Sequence, residues 1–155
     1  MNWDISDNSQ NIRYGGFLRR TFAFLIDLVI IKMLNFALIG SGLVASWKAM
    51  NDLELSAPSE DLVYLLIGLF SLTGIILFFS YFYYFNVKGQ TPGKRILGLK
   101  IVSRSGVSPR PPQALTRSFG LFFSCLFFPG FLLILFTKEK RALHDLLAGT
   151  YVVHT

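Results

Sequence analysis

Apolar residues along this chain gather into three long runs, which polar segments separate. The first run occupies residues 17–44, and after its basic first turn only Asp27, Lys32 and Asn35 introduce a charge or an amide. The second run occupies residues 62–85 and contains no charged residue. A helix rises about 1.5 Å per residue, and the hydrocarbon core of a bilayer is about 30 Å thick. Both runs are therefore long enough to form full transmembrane helices.

The third apolar run, residues 115–136, contains Pro129 and Gly130, a pair that breaks or kinks a helix. A full crossing would carry the basic residues of 138–141 outside, against the positive-inside bias. A broken or re-entrant segment would return the tail to the cytoplasm, and this is the form that we expect; a kinked but complete span is the alternative. The pattern predicts an all-α integral membrane protein with two full transmembrane helices and a third, Pro-Gly-broken or re-entrant helical segment.

Two short segments differ from the helical runs because they are rich in residues that favour strands. Residues 97–102 and 150–153 contain Ile, Val and Tyr, and glycines lie near each of them. A two-stranded ribbon is marginal when isolated, but it is stabilised by packing against helices. We therefore expect a small cytoplasmic β-ribbon that pairs these two segments.

The distribution of basic residues predicts the topology. The connection 86–114 carries six Lys and Arg residues and no acid, and the N-terminal segment contributes Arg13, Arg19 and Arg20. Both segments are expected in the cytoplasm, with residues 45–61 outside, because Lys and Arg favour the cytoplasmic side of a membrane. The basic connection is expected to contact anionic lipid headgroups. Nucleic acid is not expected as a partner, because no aromatic residue is interleaved with these charges.

Composition supports a membrane location. Hydrophobic residues make up 52% of the chain and charged residues 15%, whereas soluble domains carry roughly 25% charged residues. We predict a multi-pass protein of the plasma or inner cell membrane. Residues 1–13 are expected to form a flexible polar tail, and residues 14–155 a single membrane domain.

The ionisable residues in apolar surroundings are the candidate functional residues, since such groups persist mainly where they meet a partner or perform a function. On a helix Arg20 and Asp27 share a face and lie about 10 Å apart. Tyr81 is expected at the level of Asp27, and Lys32 near the membrane midplane. One interpretation is a polar cluster in the inner leaflet that handles ions or protons. The other is a structural cluster in which Asp27 pairs with Arg20, Arg117 or a tyrosine hydroxyl.

The sequence offers little support for enzymatic or metal chemistry. His144 and His154 lie ten residues apart without the spacing of zinc ligands, and the single Cys125 lies in an apolar run. No serine, cysteine or histidine arrangement indicates a nucleophile. We therefore predict neither a catalytic site nor a metal site, and no cofactor.

Three sequence blocks resemble the RDD family. They are GFLRRTFAFLID at 16–27, GQTPGKRILGL at 89–99 and HDLLAGTYVV at 144–153. That family is named for one arginine and two aspartates, and the matching positions here are Arg20, Asp27 and Asp145, with Arg19 as the alternative for the arginine. The resemblance implies a small polytopic membrane protein. Some members are linked to cation/proton antiport and others to membrane complexes.

The functional prediction combines this resemblance with the buried charges. The leading hypothesis is a transport-related membrane protein that uses Arg20, Asp27 and Asp145 as an inner-leaflet cluster. A transporter of this size would have to assemble as a homo-oligomer, because three short helices do not enclose a pathway. The alternative is a non-catalytic accessory or assembly subunit that joins a larger membrane-protein partner.

Overall fold

The protein is mostly helical, with two long apolar helices and a small two-stranded sheet. The computed structural model describes residues 13–52, 59–126, 133–134, 137 and 139–155. Residues 1–12 of the predicted tail 1–13 lie outside the described residues, and so does the Pro129-Gly130 pair. The elements in chain order are α1 (Phe17–Asp52), α2 (Glu60–Val87), α3 (Pro92–Ile96), β1 (Leu99–Ser103), α4 (Pro111–Leu126), α5 (Leu143–Ala148) and β2 (Thr150–His154).

By length and composition, two helices in the described part of the chain are suited to span a membrane, α1 and α2. α1 continues to Asp52, beyond its predicted end at residue 44. The added segment, ASWKAMND, lacks proline and glycine and includes good helix formers, so nothing in it stops the helix when the apolar run ends. α2 begins at Glu60 and ends at Val87, close to its predicted bounds.

The chain divides into two compact units, of which the smaller is Leu28–Phe78. Most of its large apolar side chains are exposed, including Met33 and Phe36 on α1 and Tyr64 on α2. Gly74 allows α1 and α2 to approach closely, because a Cβ at this position would lie 2.7 Å from the amide nitrogen of Asn35. The exposed apolar surface of this unit is suited to lipid rather than to water.

The larger unit comprises the described parts of Met1–Asp27 and Phe79–Thr155. It contains the sheet, in which β1 and β2 run antiparallel with Ile101 opposite Val152. A small two-stranded sheet therefore joins parts of the two predicted segments, with β1 beginning at Leu99 and not at residue 97. Gly98 has a φ of 62°, a left-handed turn conformation that precedes the first strand residue.

Helix α4 contains the first part of the third apolar run, up to Leu126. It begins at Pro111, earlier than predicted, because proline suits the first turn of a helix. Ala114, Arg117, Leu121 and Ser124 are buried along one face, whereas the side chain of Phe119 is exposed. This amphipathic pattern places α4 against the rest of the larger unit on one face.

The apolar core of the larger unit is small. Ala23 on α1 packs with Leu99 and Ile101 on β1 and with Val152 on β2, and all four are buried. The same unit also buries two arginines and two aspartates. Its interior therefore depends on charged groups as well as on apolar packing.

Candidate functional site: two buried acids and their partners

The first cluster is centred on Asp145, which is fully buried at the start of α5. One carboxylate oxygen lies 2.5 Å from Nη1 of Arg20, and the other lies 2.5 Å from Nη1 of Arg117. The backbone N–H of Ala142 donates a further hydrogen bond to this carboxylate at 3.2 Å. A single acid thus pairs with two guanidinium groups, which come from α1 and α4.

The two arginines also tie the sheet to this acid. Arg20 donates from Nε to the carbonyl of Gly15 at 2.9 Å, and from Nη2 to the carbonyl of Val152 on β2 at 3.3 Å. Arg117 donates to the hydroxyl of Thr150 at the start of β2. Guanidinium groups suit this role because they present several donors in one rigid plane. The cluster therefore connects α1, α4, α5 and β2.

The charges around Asp145 determine its ionisation and that of its neighbour. Burial raises the pKa of the Asp145 carboxyl, but the positive charges of Arg117 and Arg20 outweigh this and hold it well below its usual range. Burial lowers the pKa of His144 to about 3, and the charge of Arg117 acts in the same direction. Asp145 is therefore an anion at neutral pH, and His144 is a neutral imidazole.

The second cluster is centred on Asp27, which is fully buried on α1. One of its oxygens accepts hydrogen bonds from the hydroxyl of Tyr81 and from the backbone N–H of Gly93, both at 2.8 Å. The other oxygen accepts from the hydroxyl of Thr91 at 2.6 Å. Asp27 therefore joins α1 to the end of α2 and to the segment that leads into α3.

The segment around Gly93 is shaped to receive this acid. Thr91 caps α3 by accepting a hydrogen bond from the backbone N–H of Lys94 at 3.2 Å, and Pro92 begins the helix. A Cβ at Gly93 would lie 2.1 Å from the carbonyl oxygen of Ala23 and 3.0 Å from the carboxyl carbon of Asp27. Glycine is therefore required for the backbone to approach α1 this closely.

The structure divides the candidate residues between two clusters rather than joining them in one. Arg20, Arg117 and Asp145 lie together, while Asp27 lies with Tyr81. Of the two kinds of partner expected for Asp27, an arginine or a tyrosine hydroxyl, the structure shows the tyrosine hydroxyl. Both guanidinium groups contact Asp145 instead.

Two further candidates lie apart from both clusters. Arg19 is exposed, and its Nη1 lies 3.2 Å from Nδ1 of His154. Lys32 is exposed on α1 and forms no ion pair with any residue that the structure describes. Of the two adjacent arginines, Arg20 is therefore the one that is buried in this site, and Arg19 is not.

Sequence reasoning missed Thr91, Gly93, Lys94 and His144. The order Thr-Pro-Gly is a helix-start signal, a capping residue followed by proline. This signal in the sequence points to the turn that holds Asp27. Within the described residues there is no group of three or more His, Cys, Asp or Glu side chains that would hold a metal ion. The contacts that the structure shows at this site are hydrogen bonds and ion pairs.

Comparisons with known proteins find a matching family model and several related sequences. The family model for the RDD family matches residues 14–149. The uncharacterized protein YxaI of Bacillus subtilis is 30% identical over 147 residues, which cover 90% of this chain and 96% of that protein. The uncharacterized membrane protein YteJ of the same organism is 29% identical over 151 residues, which cover 91% of this chain and 81% of that protein.

A third relative is much longer than this chain. The human protein FAM8A1 is 28% identical over 122 residues, which cover 67% of this chain but 29% of FAM8A1. No solved structure matches the chain. Together, the family match over most of the chain and the full-length bacterial relatives show that this membrane protein belongs to the RDD family.

Proposed function

We propose that this protein is a non-catalytic accessory subunit of a larger membrane assembly. In this proposal the buried charges hold the fold together, and the apolar helices present surface to lipid and to a partner membrane protein. The observation that carries the proposal is the engagement of both buried acids. Asp145 lies between two arginines, and Asp27 accepts three hydrogen bonds. Every oxygen of the two carboxylates thus contacts a protein donor or cation, and buried acids that are engaged in this way stabilise a fold.

In the proposed topology the protein lies in the plasma or inner membrane of the cell. Its N-terminus, the connection 86–114 and its C-terminus all lie on the cytoplasmic side. The pairing of β1 with β2 supports it, because paired strands lie on the same side of a bilayer. A single complete crossing between Ser103 and Thr150 would separate them. A re-entrant third segment keeps them together and agrees with the positive-inside bias.

Lys32 supports the presence of a partner. It lies about 16 Å beyond Thr21 along α1, which places it deep in the hydrocarbon of a bilayer. Its side chain is exposed, and it has no ion-pair partner among the described residues. A lysine at the centre of a spanning helix costs about 2.5–3.5 kcal/mol unless it is paired. An acid or hydroxyl on another membrane protein would provide that partner.

Transport of cations or protons is the second candidate function, and the position of Asp27 favours it. Acids within spanning helices often mark ion or proton pathways. The two long helices do not enclose a pathway, so a transporter would have to be a homo-oligomer. The two functions therefore differ in the expected assembly as well as in activity.

Purification from native membranes in mild detergent, followed by reconstitution, tests the proposal. We expect wild-type protein to elute with a different membrane protein, and Lys32→Leu to lose it. The matched control Lys48→Leu, which changes an exposed lysine beyond the apolar run of α1, should keep it. Reconstituted protein should show no sodium- or pH-driven flux above empty vesicles. A pure homo-oligomer with flux that a folded Asp27→Asn variant lacks would establish transport instead.

A further inference from the structure

A small cavity lies within the larger unit, beside the two arginines of the Asp145 cluster and Lys94 of α3. It has a volume of about 20 Å³. Since about 10–15 Å³ of such space holds one water molecule, the cavity accommodates one or two waters or a single ion of similar size. Its polar lining consists of Arg20, Asn86, Lys94, Arg117 and His144.

The groups around this cavity carry an excess of positive charge. Arg20, Lys94 and Arg117 line it as cations, whereas the nearby acids are Asp145 and Asp27. Three cations thus face two carboxylates. His144 adds no charge, because burial lowers its pKa to about 3. One monovalent anion would bring the cluster to neutrality.

Two donors around the cavity lack an acceptor among the described residues. Nε of Arg117 is buried without a hydrogen-bond partner, and the Arg117 side chain is only 2% exposed. The ammonium of Lys94 forms neither a hydrogen bond nor an ion pair with a described residue. Burial among the neighbouring cations lowers the pKa of Lys94 to about 8. A buried donor such as Nε of Arg117 is usually satisfied by water or by a bound ion, and the half-buried side chain of Lys94 adds a second donor.

We infer that this cavity binds a single small monovalent anion of the halide class, such as chloride, between Arg20, Lys94 and Arg117. The excess charge supplies the attraction, and the unpartnered donors supply the hydrogen bonds. The small volume favours a single-atom anion over an anion with several oxygen atoms, such as phosphate. This inference is independent of the proposed function, because a bound halide would stabilise an accessory subunit and a transporter alike.

Thermal unfolding of detergent-purified protein tests the site. Sodium chloride, sodium bromide and sodium gluconate are compared at pH 7 and equal ionic strength. We expect chloride and bromide to raise the melting temperature of wild type by about 3 °C, with saturation, because a ligand that binds only the folded state stabilises it. Lys94→Gln should lose this response and should melt in gluconate at or above the wild-type temperature. The control Lys140→Gln, at an exposed lysine, should keep the response.

The pH dependence of the response is a second readout. Raising the pH from 7 to 9 removes the proton from Lys94 in the folded protein, and the cluster then loses its excess charge. The charged groups that face Lys94 are Arg20, Arg117, Asp27 and Asp145. The neighbouring His144 is a neutral imidazole, because its pKa is lowered to about 3. The chloride response of wild type should therefore shrink at pH 9.

Three results would overturn the inference. The first is an equal melting temperature for wild type in chloride and in gluconate. The second is a chloride response in Lys94→Gln equal to that of wild type. The third is stabilisation by inorganic phosphate or by anionic-lipid micelles but not by halide, which would indicate a headgroup site. If Lys94→Gln does not fold, bromide-soaked crystals of wild type decide: anomalous density in the cavity supports the site, and its absence there refutes it.

Discussion

Asp145 is a buried acid that contacts two buried arginines. It is completely buried, and a guanidinium nitrogen from Arg20 and one from Arg117 each lie 2.5 Å away. Removing one member of a buried ion pair costs about 3–5 kcal/mol, because the other charge stays behind without a counterion. Removal of this single carboxylate would leave two guanidinium groups in that state. The larger unit therefore depends on Asp145 more than on either arginine.

His144 gives the stability of the protein a dependence on pH. Burial lowers its pKa to about 3, whereas a histidine in the unfolded chain titrates at about 6.5. Between these values the unfolded state binds a proton that the folded state does not, so stability falls as the pH decreases from 6.5. We expect the free energy of unfolding to fall by about 1 kcal/mol per pH unit in this range.

Melting curves between pH 7 and pH 4.5 check this prediction. This range lies above the region in which Asp145, with its lowered pKa, takes up a proton. His144→Gln cannot titrate, so its melting temperature should change less with pH than that of wild type. The control His154→Gln, at the end of β2, should keep most of the wild-type slope. Equal slopes for wild type and His144→Gln would contradict the assignment.

At this scale the sequence singled out the acids and offered a tyrosine hydroxyl as one partner for Asp27, but it did not predict the partner of Arg20. Arg20, Asp27 and Asp145 stood out because they are charged residues beside or within apolar segments. Helical spacing placed Arg20 and Asp27 on one face and suggested that they pair. The actual partner of Arg20 lies 125 residues away along the chain, on a short helix whose position only the folded chain fixes. Local periodicity carries no information about such a contact.

At the scale of elements, the turn into α3 determines how closely the connection approaches α1. The backbone at Gly93 contacts both the carbonyl of Ala23 and the carboxylate of Asp27. In Gly93→Ala the new methyl group would overlap a backbone atom at 2.1 Å, which does not relax as a flexible side chain does. We expect the hydrogen bond to Asp27 to break and the variant to melt well below wild type, or to fail to fold.

Expression yield and melting temperature in detergent measure this effect. The matched control is Gly68→Ala on α2, where nothing lies within 4 Å of the added Cβ. Alanine is about 1 kcal/mol more favourable than glycine in a helix interior, so the control should melt at or above the wild-type temperature. A Gly93→Ala variant as stable as Gly68→Ala would refute the role of this close approach.

Elements differed in how well their sequence predicted them. The apolar runs predicted α1 and α2, because a spanning helix needs a long uninterrupted apolar segment. The exact start of β1 was not predicted, because the left-handed turn at Gly98 depends on the conformation of the backbone there. The short helix α5 was not predicted, since six residues are too few to show a helical period.

At the scale of the whole molecule, the proposed topology makes two cysteine positions informative. Ser105 lies exposed after β1, and Thr155 lies exposed after β2. In a background without Cys125, we expect cysteines at both positions to resist a membrane-impermeant thiol reagent in intact cells. Both should react once the membrane is permeabilised, because both are proposed to be cytoplasmic.

The two labelling results separate the alternative topologies. Protection at Ser105→Cys with external labelling at Thr155→Cys would establish a third complete crossing, and β1 and β2 would then not pair in the membrane. External labelling at Ser105→Cys would reverse the orientation. A cysteine at exposed Asp61, at the start of α2 and on the proposed outer side, serves as the positive control for labelling.

The central claim is that the buried acids form a structural network in which Arg20 belongs to Asp145 and not to Asp27. A double-mutant cycle on the free energy of unfolding in detergent tests it most directly, with Arg20→Gln combined in turn with Asp145→Asn and with Asp27→Asn. We predict a coupling of about 0.5–3 kcal/mol between Arg20 and Asp145, as for residues in direct contact, and additive effects for Arg20 and Asp27. A coupling of Arg20 to Asp27 that equals or exceeds its coupling to Asp145 would contradict the account.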